Sequence, residues 1–216
     1  EAVMVQTMQF FISMMDGDRK VFKRFYKSGA LPLLLDILVE ILCITSDQVA
    51  QWDDSPDEYV SHEDESTVGN SVSVRNTAKS LVDSIALIFG RFSTCEHLIN
   101  NQLPKVIEAS ERSHSQQQGD WWQIREGLLT AISIAFGCDD SGEHRVRALV
   151  NSSGLETILK SSMAIPPANS GFNYGNAEFL YLCAQSISCY SALLLSFSPQ
   201  QRAPFLMNIC AGLNAQ

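Results

Sequence analysis

Apolar side chains recur at helical spacing along most of the chain, and this periodicity constrains the fold more than any other feature of the sequence. The first such run consists of Val3, Met4, Met8, Phe11, Ile12 and Met15. Residues spaced in this way lie on one face of a helix, and Asp16-Gly17-Asp18 ends the run. No segment alternates apolar and polar residues between hairpin turns, which is the pattern that strands require. The sequence therefore predicts an all-α protein.

Further helices follow from the same spacing and from capping residues. The predicted helices cover residues 3–15, 19–28, 31–44, 46–52, 71–92, 96–113, 120–137, 143–150, 154–163 and 176–197, with a last one after Ser198-Pro199. Thr45-Ser46-Asp47 supplies a cap for the short helix at 46–52. Ser71 or Ser73 opens the long helix that follows, and Asp120 is the cap predicted for the helix at 120–137.

An internal repeat indicates how these helices are organised. The segments 73–81 and 123–131 both begin a long helix with an aliphatic residue, an arginine (Arg75 and Arg125) and apolar residues at matching positions, fifty residues apart. Helical hairpins of about 40–47 residues are typical of HEAT and armadillo repeats, and loop insertions lengthen them. The helix at 176–197 is a third copy with Cys183 near the arginine position. Such repeats bury their apolar faces by stacking, which predicts an α-solenoid.

An acidic stretch, WDDSPDEYVSHEDES at residues 52–66, separates two apolar helices and contains no Lys or Arg. Its carboxylates are Asp53, Asp54, Asp57, Glu58, Glu63, Asp64 and Glu65. They account for seven of the nine net negative charges of the chain. We predict an acidic loop insertion over 53–71, with Trp52, Pro56 and Tyr59 as its anchor. The loop is either a solvated spacer or a contact for a basic protein, since it lacks the ligand alternation of an EF-hand calcium loop.

A basic helix and a tryptophan pair also allow two interpretations each. Arg19, Lys20, Lys23, Arg24 and Lys27 line one face of the helix at 19–28. That face is either a solvated surface or a secondary docking surface for an acidic segment, including residues 53–65 of this chain. Trp121 and Trp122 point about 100° apart on a helix. We therefore expect one ring in the core and the other partly exposed.

Composition and motifs disfavour several classes of function. The net charge of −9 and the pI of 4.8 would repel nucleic acid. The six cysteines include no CxxC pair, which favours a reducing compartment. The four histidines have no ligand-spaced partners, and no phosphate-binding glycine motif occurs. We expect no enzymatic activity, no cofactor, no metal, no direct nucleic-acid binding and no membrane insertion.

The order of these motifs resembles the importin-β (karyopherin-β) superfamily of nuclear transport receptors. The resemblance rests on WDDSPDEYV followed by an acidic run, on the VRxxAxxL helix after it, on GDWWQIREGLLTAI, and on FLYLCAQSISCYSALLLSFSPQQRAPFLMNICAGL. It implies a HEAT-repeat α-solenoid in which residues 1–216 form a single segment of four to five repeats from a longer receptor.

The resemblance also implies a function. Receptors of this superfamily shuttle between cytoplasm and nucleus, carry basic cargo such as core histones and ribosomal proteins, and are controlled by the GTPase Ran in its GTP form. We expect the main Ran site to lie outside this segment, nucleoporin repeats to be further partners, and the acidic loop to contact cargo or Ran. The alternatives are a purely architectural part of the solenoid and an unrelated armadillo-like scaffold.

Overall fold

The computed structural model describes six continuous stretches of the chain and a few single positions. These are residues 1–17, 29–55, 73–116, 121–137, 143–163 and 177–193, with positions 20, 24, 200, 202, 203 and 207. Helix is the only regular secondary structure in these stretches, and none of their residues belongs to a β-strand. The predicted all-α class is confirmed for this part of the chain.

Ten α-helices and one π-helical turn make up the described stretches. They are α1 (Ala2–Gly17), α2 (Ala30–Leu42), α3 (Ser46–Asp54), α4 (Val74–Phe89), α5 (Arg91–His97), the π-turn (Leu98–Gln102), α6 (Leu103–Ser115), α7 (Gln123–Phe136), α8 (Glu143–Ser152), α9 (Leu155–Met163) and α10 (Ala177–Ala192). The predicted helix over 19–28 and the one after Ser198 fall largely outside the described residues.

Two helix starts match the capping signals in the sequence. Thr45 caps α3 through a reciprocal pair of hydrogen bonds: the Gln48 N–H donates to Thr45 Oγ1 at 3.2 Å, and the Thr45 N–H donates to Gln48 Oε1 at 2.9 Å. Ser73, rather than Ser71, caps α4, because its Oγ accepts the Asn76 N–H at 3.0 Å. These bonds satisfy first-turn donors that the helix itself cannot satisfy.

Other boundaries differ from the prediction. Helix α4 ends at Phe89, three residues early, because Gly90 has a φ of +99°, which L side chains rarely adopt. Helix α5 then begins at once, and the π-turn interrupts the single helix predicted over 96–113. Helix α7 begins at Gln123 with Trp122 at the N-cap, so the predicted cap at Asp120 is wrong.

The longer helices pack against one another in chain order. Helix α1 packs on α4, α4 on α7, and α7 on α10, while α2 lies against both α4 and α7. Helix α9 packs on α10, and α8 contacts α5 and α9. The buried apolar side chains of these helices form one continuous cluster. Stacking of helix on helix therefore builds the core.

Helix α7 lies at the centre of this arrangement. It contacts α2, α4, α5, α6 and α10, and every residue from Gln123 to Phe136 is buried or partly buried. Gly127 permits the contact with α2, because a Cβ at this position would lie 2.9 Å from both the Val39 carbonyl oxygen and the Cys43 Sγ. Backbone can approach backbone this closely only where one residue lacks a side chain.

A search for membrane-crossing segments, made over the described residues, found no helix with the length and apolar character to span a bilayer.

Candidate functional site

Three aromatic side chains fix the end of α3 to the helical core. The Trp52 ring, in the last turn of α3, contacts the Tyr181 ring of α10 edge-on, with 5.4 Å between centroids. Tyr181 also stacks on Trp122, which precedes α7, at 6.0 Å. Trp52 and Trp122 are each 1% exposed, and Tyr181 is 8% exposed. Aromatic pairs of this kind stabilise beyond the area they bury, so α3 ends at a firmly held position.

The acidic segment begins immediately at that position. Helix α3 continues through Asp54, two residues beyond the predicted end, so Asp53 and Asp54 belong to its last turn rather than to a loop. Asp54 is exposed, and no basic residue occurs in this turn. The carboxyl end of a helix carries partial negative charge, which makes a carboxylate there unfavourable by about 0.3–1 kcal/mol and a nearby cation favourable. This end of α3 is therefore suited to a basic neighbour.

Most of the predicted contact residues of the acidic segment lie outside the described residues. They are Asp57, Glu58, Glu63, Asp64 and Glu65, with the proposed anchors Pro56 and Tyr59. Trp52 is buried as an anchor requires, but its role in holding the acidic segment stays a prediction.

The basic surface predicted over 19–27 is described at two positions. Lys20 and Arg24, four residues apart, are both helical and exposed, as neighbours on one helical face would be. Arg19, Lys23 and Lys27 lie outside the described residues. The proposed docking role of this surface stays a prediction.

The tryptophan pair behaves as predicted. Trp122 is buried, whereas Trp121 is partly exposed and packs at the edge of the core. The two rings differ in burial as expected, although both residues precede α7 rather than lying within it.

A buried ion pair joins α4 to α7, and the sequence did not reveal it. Arg75 Nη2 lies 2.6 Å from Glu126 Oε1, and Arg75 Nη1 lies 3.0 Å from Glu126 Oε2. The Thr130 hydroxyl donates to Glu126 Oε1 at 3.0 Å. The side chains of Arg75 and Glu126 are 5% and 2% exposed. This two-pronged geometry is the strongest form of the arginine–carboxylate pair.

The signal for this pair in the sequence was incomplete. Glu126 is followed by the mostly apolar run GLLTAISIAF, and a buried carboxylate requires a cation. Its partner lies 51 residues away, so sequence alone shows that a partner is needed but does not identify it.

A second polar cluster surrounds Asp36 of α2 and joins it to the π-turn. His97 Nε2 lies 2.9 Å from Asp36 Oδ1, and the Gln102 side-chain amide donates to the same oxygen. Lys105 Nζ lies 3.7 Å from Asp36 Oδ2, and Asn101 Nδ2 lies 3.0 Å from His97 Nδ1. One carboxylate thus collects contacts from α5, the π-turn and α6. Both imidazole nitrogens therefore have a hydrogen-bonding neighbour, and these contacts hold the ring in place.

Arg91 forms a third link, at the carboxyl end of α7. Its Nη1 donates to the carbonyl oxygens of Ile134 at 3.0 Å and Ala135 at 3.3 Å, and its Nη2 lies 3.1 Å from Asp83 Oδ1. A cation at a helix carboxyl end satisfies carbonyl groups that have no partner within the helix. Gly137, with a φ of +50°, leaves the space that the guanidinium occupies.

The described cysteines are held in the thiol form. Burial, with the nearby Glu126 carboxylate as a lesser cause, raises the pKa of the Cys43 thiol to about 12. Burial also raises the pKa of Cys95, Cys183 and Cys189. Only the thiolate is an effective nucleophile or metal ligand. Within the described stretches, no group of three or more His, Cys, Asp or Glu side chains is arranged to hold a metal ion.

No family model matches the chain. The interpretation of its function therefore rests on the resemblance given above and on the arrangement of its own residues.

Proposed function

We propose that this chain is a HEAT-repeat segment of a nuclear import receptor of the importin-β superfamily. The receptor would carry basic cargo, such as core histones and ribosomal proteins, under the control of Ran in its GTP form. In this proposal the stacked helices are the scaffold, and the acidic segment at 53–65 is the contact for cargo or for Ran.

The order of helix packing supports the repeat part of the proposal. Helices α4, α7 and α10 begin at residues 74, 123 and 177, and each packs on the next. A solenoid requires neighbour-to-neighbour packing at such a period. The Arg75–Glu126 pair also joins corresponding helices of consecutive copies.

The single observation that carries the functional part is the burial of Trp52. This ring lies one residue before the first of the seven carboxylates and is locked against Tyr181. The acidic segment therefore starts from a rigid point of the scaffold, next to a helix end whose partial charge is also negative. Both features favour a cationic protein surface over a free spacer.

The affinity of such a contact would come from the number of ion pairs rather than from the strength of each one. Each exposed ion pair contributes about 0–1 kcal/mol. Seven carboxylates can steer a basic partner and hold it through many weak contacts, and binding should weaken as salt screens them.

The test is binding of a labelled core-histone dimer to the purified chain, measured by fluorescence anisotropy at about 50 and 200 mM salt. In the test variant the seven acidic-segment carboxylates become Asn or Gln. A charge-matched control neutralises seven exposed carboxylates elsewhere, namely Glu1, Asp16, Glu40, Asp47, Glu96, Glu108 and Glu111. Far-ultraviolet circular dichroism confirms that both variants are folded.

Salt-sensitive binding that is lost in the test variant and retained in the control would support the proposal. Equal losses in both variants would show that net charge alone attracts the histone. No binding at low salt would favour a purely architectural segment.

A further inference from the structure

Arg125 is a half-buried cation that has no partner of opposite charge within the described chain. Its Nε atom is buried without a hydrogen-bond acceptor. Its observed contact is the face of the Trp121 ring, with 5.4 Å between the guanidinium carbon and the ring centroid. By contrast, Arg75, Arg91 and Arg112 each pair with a carboxylate at 3.1 Å or less.

The position of Arg125 is unfavourable in three ways. Burial lowers the pKa of its guanidinium, while the Glu111 carboxylate acts in the opposite direction. The residue lies in the first turn of α7, where the helix end carries partial positive charge. Its buried N–H group gives up hydration without gaining a hydrogen bond. A residue that the fold holds in an unfavourable environment, with no stabilising contact in return, is a candidate for a functional role.

The surroundings of Arg125 have the composition of a binding site. Trp121 is partly exposed and contacts both Arg125 and the exposed His114 ring, whose centroid is 4.9 Å from that of the indole. Tryptophan and arginine are enriched among the residues that dominate protein–protein affinity. Trp122, the N-cap residue of α7, gives no side-chain hydrogen bond to the first turn. An approaching anion would therefore meet the positive end of a helix together with the guanidinium.

A second buried polar atom without a partner lies on the helix that packs against α7. Ser110, one turn before His114 on α6, is completely buried, and its hydroxyl makes no hydrogen bond. Because α6 and α7 pack together, this helix pair holds two of the three such atoms found in the described residues, Ser110 Oγ and Arg125 Nε.

We propose that Arg125 and Trp121 form a binding site for a carboxylate side chain, Asp or Glu, in an acidic segment of a partner protein. The charge of Arg125 and its planar set of donors match the two oxygens of a carboxylate. The Trp121 ring supplies the apolar wall against which such a segment packs. This site uses none of the residues of the acidic segment at 53–65 and selects partners of the opposite charge, so it does not depend on the proposed function.

The probe is a fluorescein-labelled polyglutamate peptide, titrated with the purified chain and followed by anisotropy. Salt at about 150 mM screens the net negative charge of the chain beyond about 8 Å. Arg125→Gln should weaken binding about tenfold or more, because a charge-assisted hydrogen bond is lost. Arg112→Gln is the matched control: it removes the same charge from an exposed arginine on α6, and binding should change less than about twofold.

Two further variants separate binding from folding. Arg125→Lys keeps the charge and loses the planar donor set, so its affinity should fall between those of the wild type and Arg125→Gln. Glu111→Gln removes the carboxylate that competes for Arg125 and should strengthen binding several-fold. Loss of the folded Arg125–Trp121 site would weaken binding, so a gain of affinity is the opposite of what its unfolding predicts.

Three results would overturn the proposal. Equal losses for Arg125→Gln and Arg112→Gln would mean that the peptide senses only the general field of the protein. Absence of peptide binding would remove the site altogether. Displacement of the peptide by equimolar inorganic phosphate would identify a site for small anions rather than for a protein carboxylate.

Discussion

Glu126→Gln removes one charge from a deeply buried ion pair while keeping the size of the side chain. Arg75 would retain its positive charge at 5% exposure, facing an amide that can accept one of its two hydrogen bonds. Breaking a buried pair in this way costs about 3–5 kcal/mol, because the remaining charge stays buried after the charge of its carboxylate partner is removed. For a chain of this length, about 1 kcal/mol lowers the melting temperature by about 2–4 °C. We expect a decrease of about 6–20 °C.

The chain offers a matched control for this prediction. Arg112 and Glu108 form an ion pair with the same separation of 2.6 Å, but their side chains are 63% and 73% exposed. Glu108→Gln should cost about 0.3–0.5 kcal/mol, because solvent screens the pair and both partners remain hydrated. Urea unfolding followed by circular dichroism gives the free energy of unfolding for each variant, and scanning calorimetry gives the melting temperature.

A double variant separates charge from packing. Arg75→Met with Glu126→Leu removes both charges and keeps similar volume, so it should recover most of the stability that Glu126→Gln loses. If Glu126→Gln costs no more than Glu108→Gln, the buried pair does not hold α4 to α7. If the double variant is as unstable as the single one, the loss comes from packing and the electrostatic reasoning fails.

Two other features give predictions of their own. Gly127→Ala should cost about 1–3 kcal/mol of unfolding free energy, because the new Cβ would lie 2.9 Å from the Val39 carbonyl oxygen. Gly17→Ala is the control: no atom lies within 4 Å of its Cβ, so the free energy of unfolding should change by less than about 0.5 kcal/mol in the same urea experiment. The raised pKa of Cys43 predicts that stability falls from about pH 9 towards pH 12, by up to about 1.4 kcal/mol per unit, because the unfolded thiol ionises first. The urea midpoint should fall further between about pH 8 and about pH 10 in the wild type than in Cys43→Ala. An identical pH dependence in both proteins would contradict the prediction.

The features that could be predicted from sequence are those set by neighbours along the chain. The all-α class follows from apolar spacing within single helices, and the caps of α3 and α4 depend on residues three positions apart. The break at Gly90 could not be predicted in the same way, because a glycine is compatible with helix and the neighbouring residues do not specify its φ of +99°. The contacts of Asp36 reach residues 61 and 66 positions away, beyond any local pattern.

The two equivalent arginines of the internal repeat show most clearly why the rest could not be predicted. Arg75 and Arg125 stand at matching positions of the similar segments 73–81 and 123–131, yet among the described residues Arg75 forms an ion pair and Arg125 forms none. Helix α7 presents Glu126 to Arg75, whereas on α10, the helix that packs on α7, Cys183 stands near the position that the sequence comparison matches to the arginines. Burial raises the pKa of the Cys183 thiol, so this side chain does not replace the carboxylate. The ion pair that joins α4 to α7 therefore has no counterpart at Arg125 within the described residues.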